Sequence, residues 1–188
     1  MRNHFIKTAA CLGFAVVYLA SAAHAQTAPA EANIVVANPT YISIPMEITV
    51  NHPAAEVWNR VGKYCDIGEW FQIPCMMISG KEGEFGSVRS VGGEVLVGKT
   101  ELSYTYTQTV KPGRPYNLYH GTLEARPVTA TTTKLVYTLT YDNSMLPDDA
   151  AREKDKVQKT AAFTRALNNM KILAEGGTLP PPPLRNNK

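Results

Sequence analysis

The chain has 188 residues, with 19 Lys and Arg against 16 Asp and Glu and a formal net charge of +3. Setting aside Arg2 and Lys7 of a basic leader leaves 17 cations against 16 anions, a balance that gives nucleic acid no electrostatic footprint. The length suits one domain with one core, and beyond the leader no stretch approaches the roughly 20 apolar residues of a membrane helix.

Arg2 and Lys7 precede an apolar run over residues 8–20, and Ala23-His24-Ala25 follows as a small-x-small cleavage signal. Residues 1–25 therefore read as a signal peptide, and the mature chain is expected in the periplasm or outside the cell. Cys11 follows Thr8-Ala9-Ala10 and not the Leu or Val that leads a lipoprotein signal, so a soluble exported protein is expected. Residues 26–40, rich in Ala, Pro and Asn, and residues 176–188, with their proline run, read as flexible tails around a domain over 41–175. The proline run also has the composition of a docking peptide for a partner.

Ile42, Ile44, Met46, Ile48 and Val50 alternate with polar neighbours, which predicts a strand with one buried face. Asn51-His52-Pro53 opens a helix whose stripe is Ala54, Val57, Trp58, Val61, Tyr64 and Cys65, and Asp66 starts a second short helical turn carrying Trp70 and Phe71. After Pro74 come CMMIS, SVRSV and EVLV, separated by glycine-bearing turns. Longer strands then place Leu102, Tyr104, Tyr106, Gln108 and Val110 on one face, and Leu135, Tyr137, Leu139 and Tyr141 on another. The segment 116–127 between them is strand-like but less clearly sided, with Tyr119 and Leu123 sharing a parity. From Asp148 or Asp149 to about Glu175 the period turns helical, with Phe163, Ala166, Leu167, Met170, Leu173 and Ala174 as the apolar stripe. The order defines an α+β domain in which a curved antiparallel sheet wraps a long C-terminal helix.

A sheet gripping one helix leaves a cavity, and Tyr104, Tyr106, Tyr119, Tyr137 and Tyr141 are read as its lining, with Trp70 beside them. A fully packed core favours Leu, Ile, Val and Phe, so this many phenols on one inner face points to a partly polar ligand pocket. In GSVRSVGGEVL the Gly92-Gly93 turn brings Arg89 and Glu94 together across a hairpin. They form either an exposed cross-strand pair or a buried one, and a buried pair supplies a fixed cation for an oxygen together with a tunable carboxyl. Cys65 and Cys75 either bridge, in an oxidising compartment, or remain two buried thiols.

The mature chain has only His52 and His120, and it lacks a GxSxG elbow and a phosphate loop, so no metal and no cofactor is expected.

ITVNHPAAEVWNRVGKYCDIGEWF, FGSVRSVGGEVL, and LSYTYT followed by PYNLYHGTLEARPV, with the final helix, resemble the SRPBCC superfamily of START-like helix-grip proteins. The likeness is greatest to its polyketide cyclase/dehydrase branch. It implies a sheet of about seven antiparallel strands, two short helices after the first strand, and a hydrophobic cavity for a small hydrophobic or aromatic ligand. Around Arg89 and Glu94 the chain is similar to lachrymatory-factor synthase, and Tyr106 and Tyr119 match tyrosines of that protein's cavity. This implies Glu94 as general acid or base and Arg89 as its partner in a cofactor-independent cyclase, dehydratase or isomerase. The alternative is a non-catalytic periplasmic carrier or sensor.

Overall fold

The computed structural model describes residues 36–182 other than residue 115. The leader expected over 1–25 lies outside the described residues, as do positions 26–35 and 183–188 of the two tails. The elements run β1 (Tyr41–Val50), α1 (Ala54–Val61), α2 (Ile67–Trp70), β2 (Met77–Ser79), β3 (Val88–Arg89), β4 (Glu94–Thr100), β5 (Ser103–Gln108), β6 (Asn117–Thr129), β7 (Thr132–Asp142) and α3 (Asp149–Ala174). All neighbouring strands are antiparallel, in the order β1-β7-β6-β5-β4-β3-β2.

Alternation decides which face of each strand is buried. Ile44, Met46 and Val50 of β1 lie on the core side with Leu135, Tyr137, Leu139 and Tyr141 of β7. Against this face the second half of α3 packs its apolar side chains, through Ala166, Leu167, Met170 and Leu173, while the first half meets it through Asp155 and Lys159 at Tyr141. The first half, DAAREKDKVQK, has too few apolar residues to bury. It is fixed at its start by the Asp148 side chain, which accepts from the Ala151 amide at 2.7 Å.

Several boundaries differ from the sequence reading. α1 stops at Val61, so Tyr64 and Cys65 belong to the corner that follows it. Gly62 caps the helix end, and its Cα lies against the Trp58 indole, where a Cβ would sit 2.3 Å from the ring. The strand read as EVLV runs on through Gly98, Lys99 and Thr100, beyond an irregularity between Leu96 and Gly98. The tail packs in its first part. Gly177 donates to the Ile172 carbonyl at 2.8 Å in a helix-ending motif, Leu179 reaches the core, and the Pro180 carbonyl accepts from Gln72 at 2.7 Å.

Candidate ligand-binding site

The hairpin between Arg89 and Glu94 closes through Gly92 and Gly93, both with positive φ (65° and 66°), and the Glu94 amide donates to the Val91 carbonyl across it. Two consecutive left-handed residues make the tight turn that suits strand twist, and glycine adopts that conformation without a Cβ penalty. The turn sets Arg89 opposite Glu94. Both side chains point inward and are buried, at 0% and 3% exposure.

Arg89 Nε donates to Glu94 Oε2 at 2.6 Å, and Nη2 makes an ion-pair contact with the same oxygen at 2.6 Å. Nη1 donates to the Tyr64 carbonyl and lies 3.5 Å from the Tyr104 hydroxyl. Three rings enclose the guanidinium, with Tyr64, Tyr106 and Tyr104 centroids 4.3, 4.7 and 5.6 Å from Cζ. On the other side Gln108 donates to Glu94 Oε1 at 3.0 Å, and the Tyr116 hydroxyl donates to Gln108 Oε1 at 3.0 Å. Both carboxylate oxygens are therefore in use. Burial pushes the Glu94 carboxyl above the usual 4.5, with Arg89 and Gln108 opposing it. Burial works against the Arg89 charge too, but Tyr104 and Glu94 outweigh it and hold its pKa well above the ordinary arginine value.

The tyrosines of the predicted lining are all inside, none more than 5% exposed, but they fill space more than they enclose it. The Tyr137 hydroxyl donates to Tyr106 at 3.0 Å, and Tyr119 stacks near Tyr106, Tyr116 and Tyr141 with centroids 6.4, 4.8 and 5.6 Å apart. Tyr141 leaves this group at its hydroxyl, which donates to Asp155 of α3 at 2.7 Å. Trp70 is a core residue, fully buried, with Nε1 donating to the Val61 carbonyl at 3.3 Å and its ring edge-on to Tyr137. Cys65 and Cys75 form a disulfide with Cα atoms 5.7 Å apart.

An opening of 320 Å³ lies between α1 and the β4–β5 hairpin. Trp58, Gly62, Tyr64, Leu96 and Tyr104 form its walls, and Lys63, Glu82, Lys99 and Glu101 stand at its rim. Of the predicted lining, only Tyr104 reaches it. Trp58 and Tyr104 meet at 5.8 Å as two aromatic walls. Tyr64 is held in place at both ends of its peptide, its amide donating to Glu82 and its carbonyl accepting from Arg89, while its buried hydroxyl has no protein partner. Sequence reasoning placed Trp58 on a helical stripe but not at a site, because the other wall comes from strands some 40 residues away. Among the described residues no group of His, Cys, Asp and Glu could hold a metal ion.

Burial pushes the Tyr104, Tyr106, Tyr119 and Tyr137 phenols above the usual tyrosine value of 10.0. For a group raised in this direction, the stabilising contribution is whole below about pH 10 and is lost as pH climbs past it. Ultraviolet titration should find these phenols silent until alkaline unfolding releases them together. Smooth ionisation of every tyrosine near pH 10 in the folded protein would contradict the packing described.

A seven-stranded antiparallel sheet curled over one long C-terminal helix, with two short helices after β1, is the helix-grip architecture, the fold of the SRPBCC proteins that the motifs resemble. Solved structures share it. A solution NMR structure from Thermobifida fusca is 23% identical, with a TM-score of 0.55 over 70% of this chain and 92% of that one. The Zhui aromatase/cyclase from Streptomyces sp. R1128 is 18% identical, with a TM-score of 0.56 over 74% of this chain and 100% of that one. A truncated norcoclaurine synthase from Thalictrum flavum is 11% identical, with a TM-score of 0.56 over 77% and 99%. No family model and no curated protein matches the sequence.

Proposed function

We propose that this protein binds a small, flat, largely apolar molecule in the opening between α1 and the β4–β5 hairpin. One observation carries the reading: an opening of ligand size whose two aromatic walls, Trp58 and Tyr104, meet at 5.8 Å with Tyr64 beside them. Two rings that meet in this way favour a flat aromatic ligand, which can stack on one and meet the edge of the other. The leader signal supports export before binding, and an intact mass of the mature chain starting at Gln26 is the measurement that tests it. The role that follows is a carrier or sensor of a hydrophobic ligand.

Naphthol and naphthalene serve as probes, titrated by calorimetry. Trp58→Ala should weaken both by roughly tenfold, about 1.4 kcal/mol. If the native protein takes up neither probe and carries no small molecule through purification, the reading fails.

A second reading, acid/base catalysis by Glu94, is favoured by the upward push on its carboxyl. It accords with the names of the aromatase/cyclase and the norcoclaurine synthase on this fold. Catalysis would require Glu94 to give up one of the partners that now occupy both its oxygens, and for that reason binding is the primary reading.

A further inference from the structure

The disulfide joins two segments that grip the same arginine. On one side, Cys65 directly follows Tyr64, whose carbonyl accepts from Arg89 and whose amide donates to Glu82 at the pocket rim. On the other, Cys75 directly precedes Met76. The Met76 amide donates to Ser90 Oγ at 3.1 Å and its carbonyl accepts from the Ser90 amide at 2.9 Å, while Met77 lies opposite Arg89 in the β2–β3 ladder. The bridge thus closes a ring that runs from Arg89 through β2, Cys75, Cys65 and Tyr64 back to Arg89. β2 itself is weakly held: three residues at the end of the sheet, with an irregular pairing to a two-residue strand. So short an edge has little stability of its own, and the covalent link fastens it to the Tyr64 corner alongside the Gly68 amide–Cys65 carbonyl and Ile73 amide–Gly68 carbonyl bonds of the intervening loop. Both cysteines are half-buried.

We propose that the Cys65–Cys75 disulfide is a redox control on the pocket, an inference that rests on the binding reading given above. A dithiol reductant transfers two electrons and two protons: the S–S bond breaks, Cys65 and Cys75 become thiols, and the reductant closes its own disulfide. β2 and the Tyr64 corner then part, Tyr64 loses its fixed place beside Arg89, and the wall that it contributes to the opening is lost. The oxidised protein binds and the reduced protein releases.

The test compares oxidised protein, protein reduced with dithiothreitol, and the double variant Cys65→Ala with Cys75→Ala. Naphthol affinity should fall about tenfold in the last two, within the ordinary range of coupling between linked sites. Hydrogen exchange at the Tyr64 and Ser90 amides should accelerate by more than that, with amides in the middle of β7 unchanged. Unchanged affinity and exchange on reduction overturn the proposal. So does equal acceleration in β7, which would make the bridge a clamp on the whole fold. If the oxidised protein fails to bind naphthol, the pocket reading falls by itself. Exchange then decides the coupling alone: acceleration confined to Tyr64 and Ser90 upholds it, and none overturns it.

Discussion

Glu94→Gln is expected to lower the unfolding free energy by about 3–5 kcal/mol, the cost of leaving a buried charge without its partner. Arg89 is 0% exposed and cannot shed its proton, so nothing in the variant relieves it. Arg89→Met should behave differently, because the charge it strands can be neutralised. The Glu94 carboxyl already titrates above 4.5 because of burial, and losing the arginine that opposes this raises it further. Its neutral form is therefore populated at acid pH, and the penalty of Arg89→Met should be small near pH 4.5 and grow as pH rises through the folded-state value. In Glu94→Gln no carboxyl is left to titrate at that site, so position 94 adds no pH dependence of its own to the stability of that variant. The double variant should cost less than Glu94→Gln alone. Urea unfolding at several pH values checks all of this, and equal, pH-independent penalties for the two single variants would mean that the pair is solvated.

Gly121→Ala is expected to cost about 3 kcal/mol, from overpacking together with one lost hydrogen bond. Gly121 lies directly opposite Tyr106 in the β5–β6 ladder, and a Cβ there would stand 2.3 Å from both Cζ and the hydroxyl oxygen of that ring. Tyr106 is 1% exposed and bonded to Tyr137, so the ring cannot swing aside without breaking the tyrosine cluster. In a Tyr106→Leu background the same glycine substitution should cost under about 1 kcal/mol, because the obstructing ring is gone. An identical penalty in both backgrounds, read from denaturant midpoints, would assign the effect to the backbone and not to the ring.

Periodicity made most of the fold legible, and it did so for a physical reason: a strand or helix that buries one face must repeat its apolar residues at its own period. Ile44 to Val50 and Leu135 to Tyr141 are such repeats, and the change to a helical period after Asp148 located α3 within a residue or two at each end. β6 was less clearly sided because its inward position at Gly121 carries no side chain; the space belongs to Tyr106 on the next strand. The Arg89–Glu94 pairing was legible from the two glycines between them, whereas its burial depended on rings from the Tyr64 corner and β5. The tyrosines show the limit of this kind of reading. Alternation reports that a residue faces inward and is silent on whether its neighbours leave a hole, so phenols read as a cavity lining turned out to pack on one another. The opening formed where α1, a corner and a hairpin meet, and no single stretch of sequence announces such a junction.

A sheet that curls without closing has two rims, and each rim displays backbone groups that another chain's strand can bond to. Here the rims are β1 and β2 among the described strands. β2, three residues long, offers too short a template for stable addition. β1 is ten residues long, but Pro45 in its middle lacks an N–H, and near its end the Thr49 carbonyl accepts from the Lys171 ammonium at 2.7 Å while the Asn51 amide just beyond donates to Glu175. Lys171 of α3 and Glu175 just beyond it therefore blunt the longer rim, so the open sheet does not invite edge-to-edge polymerisation.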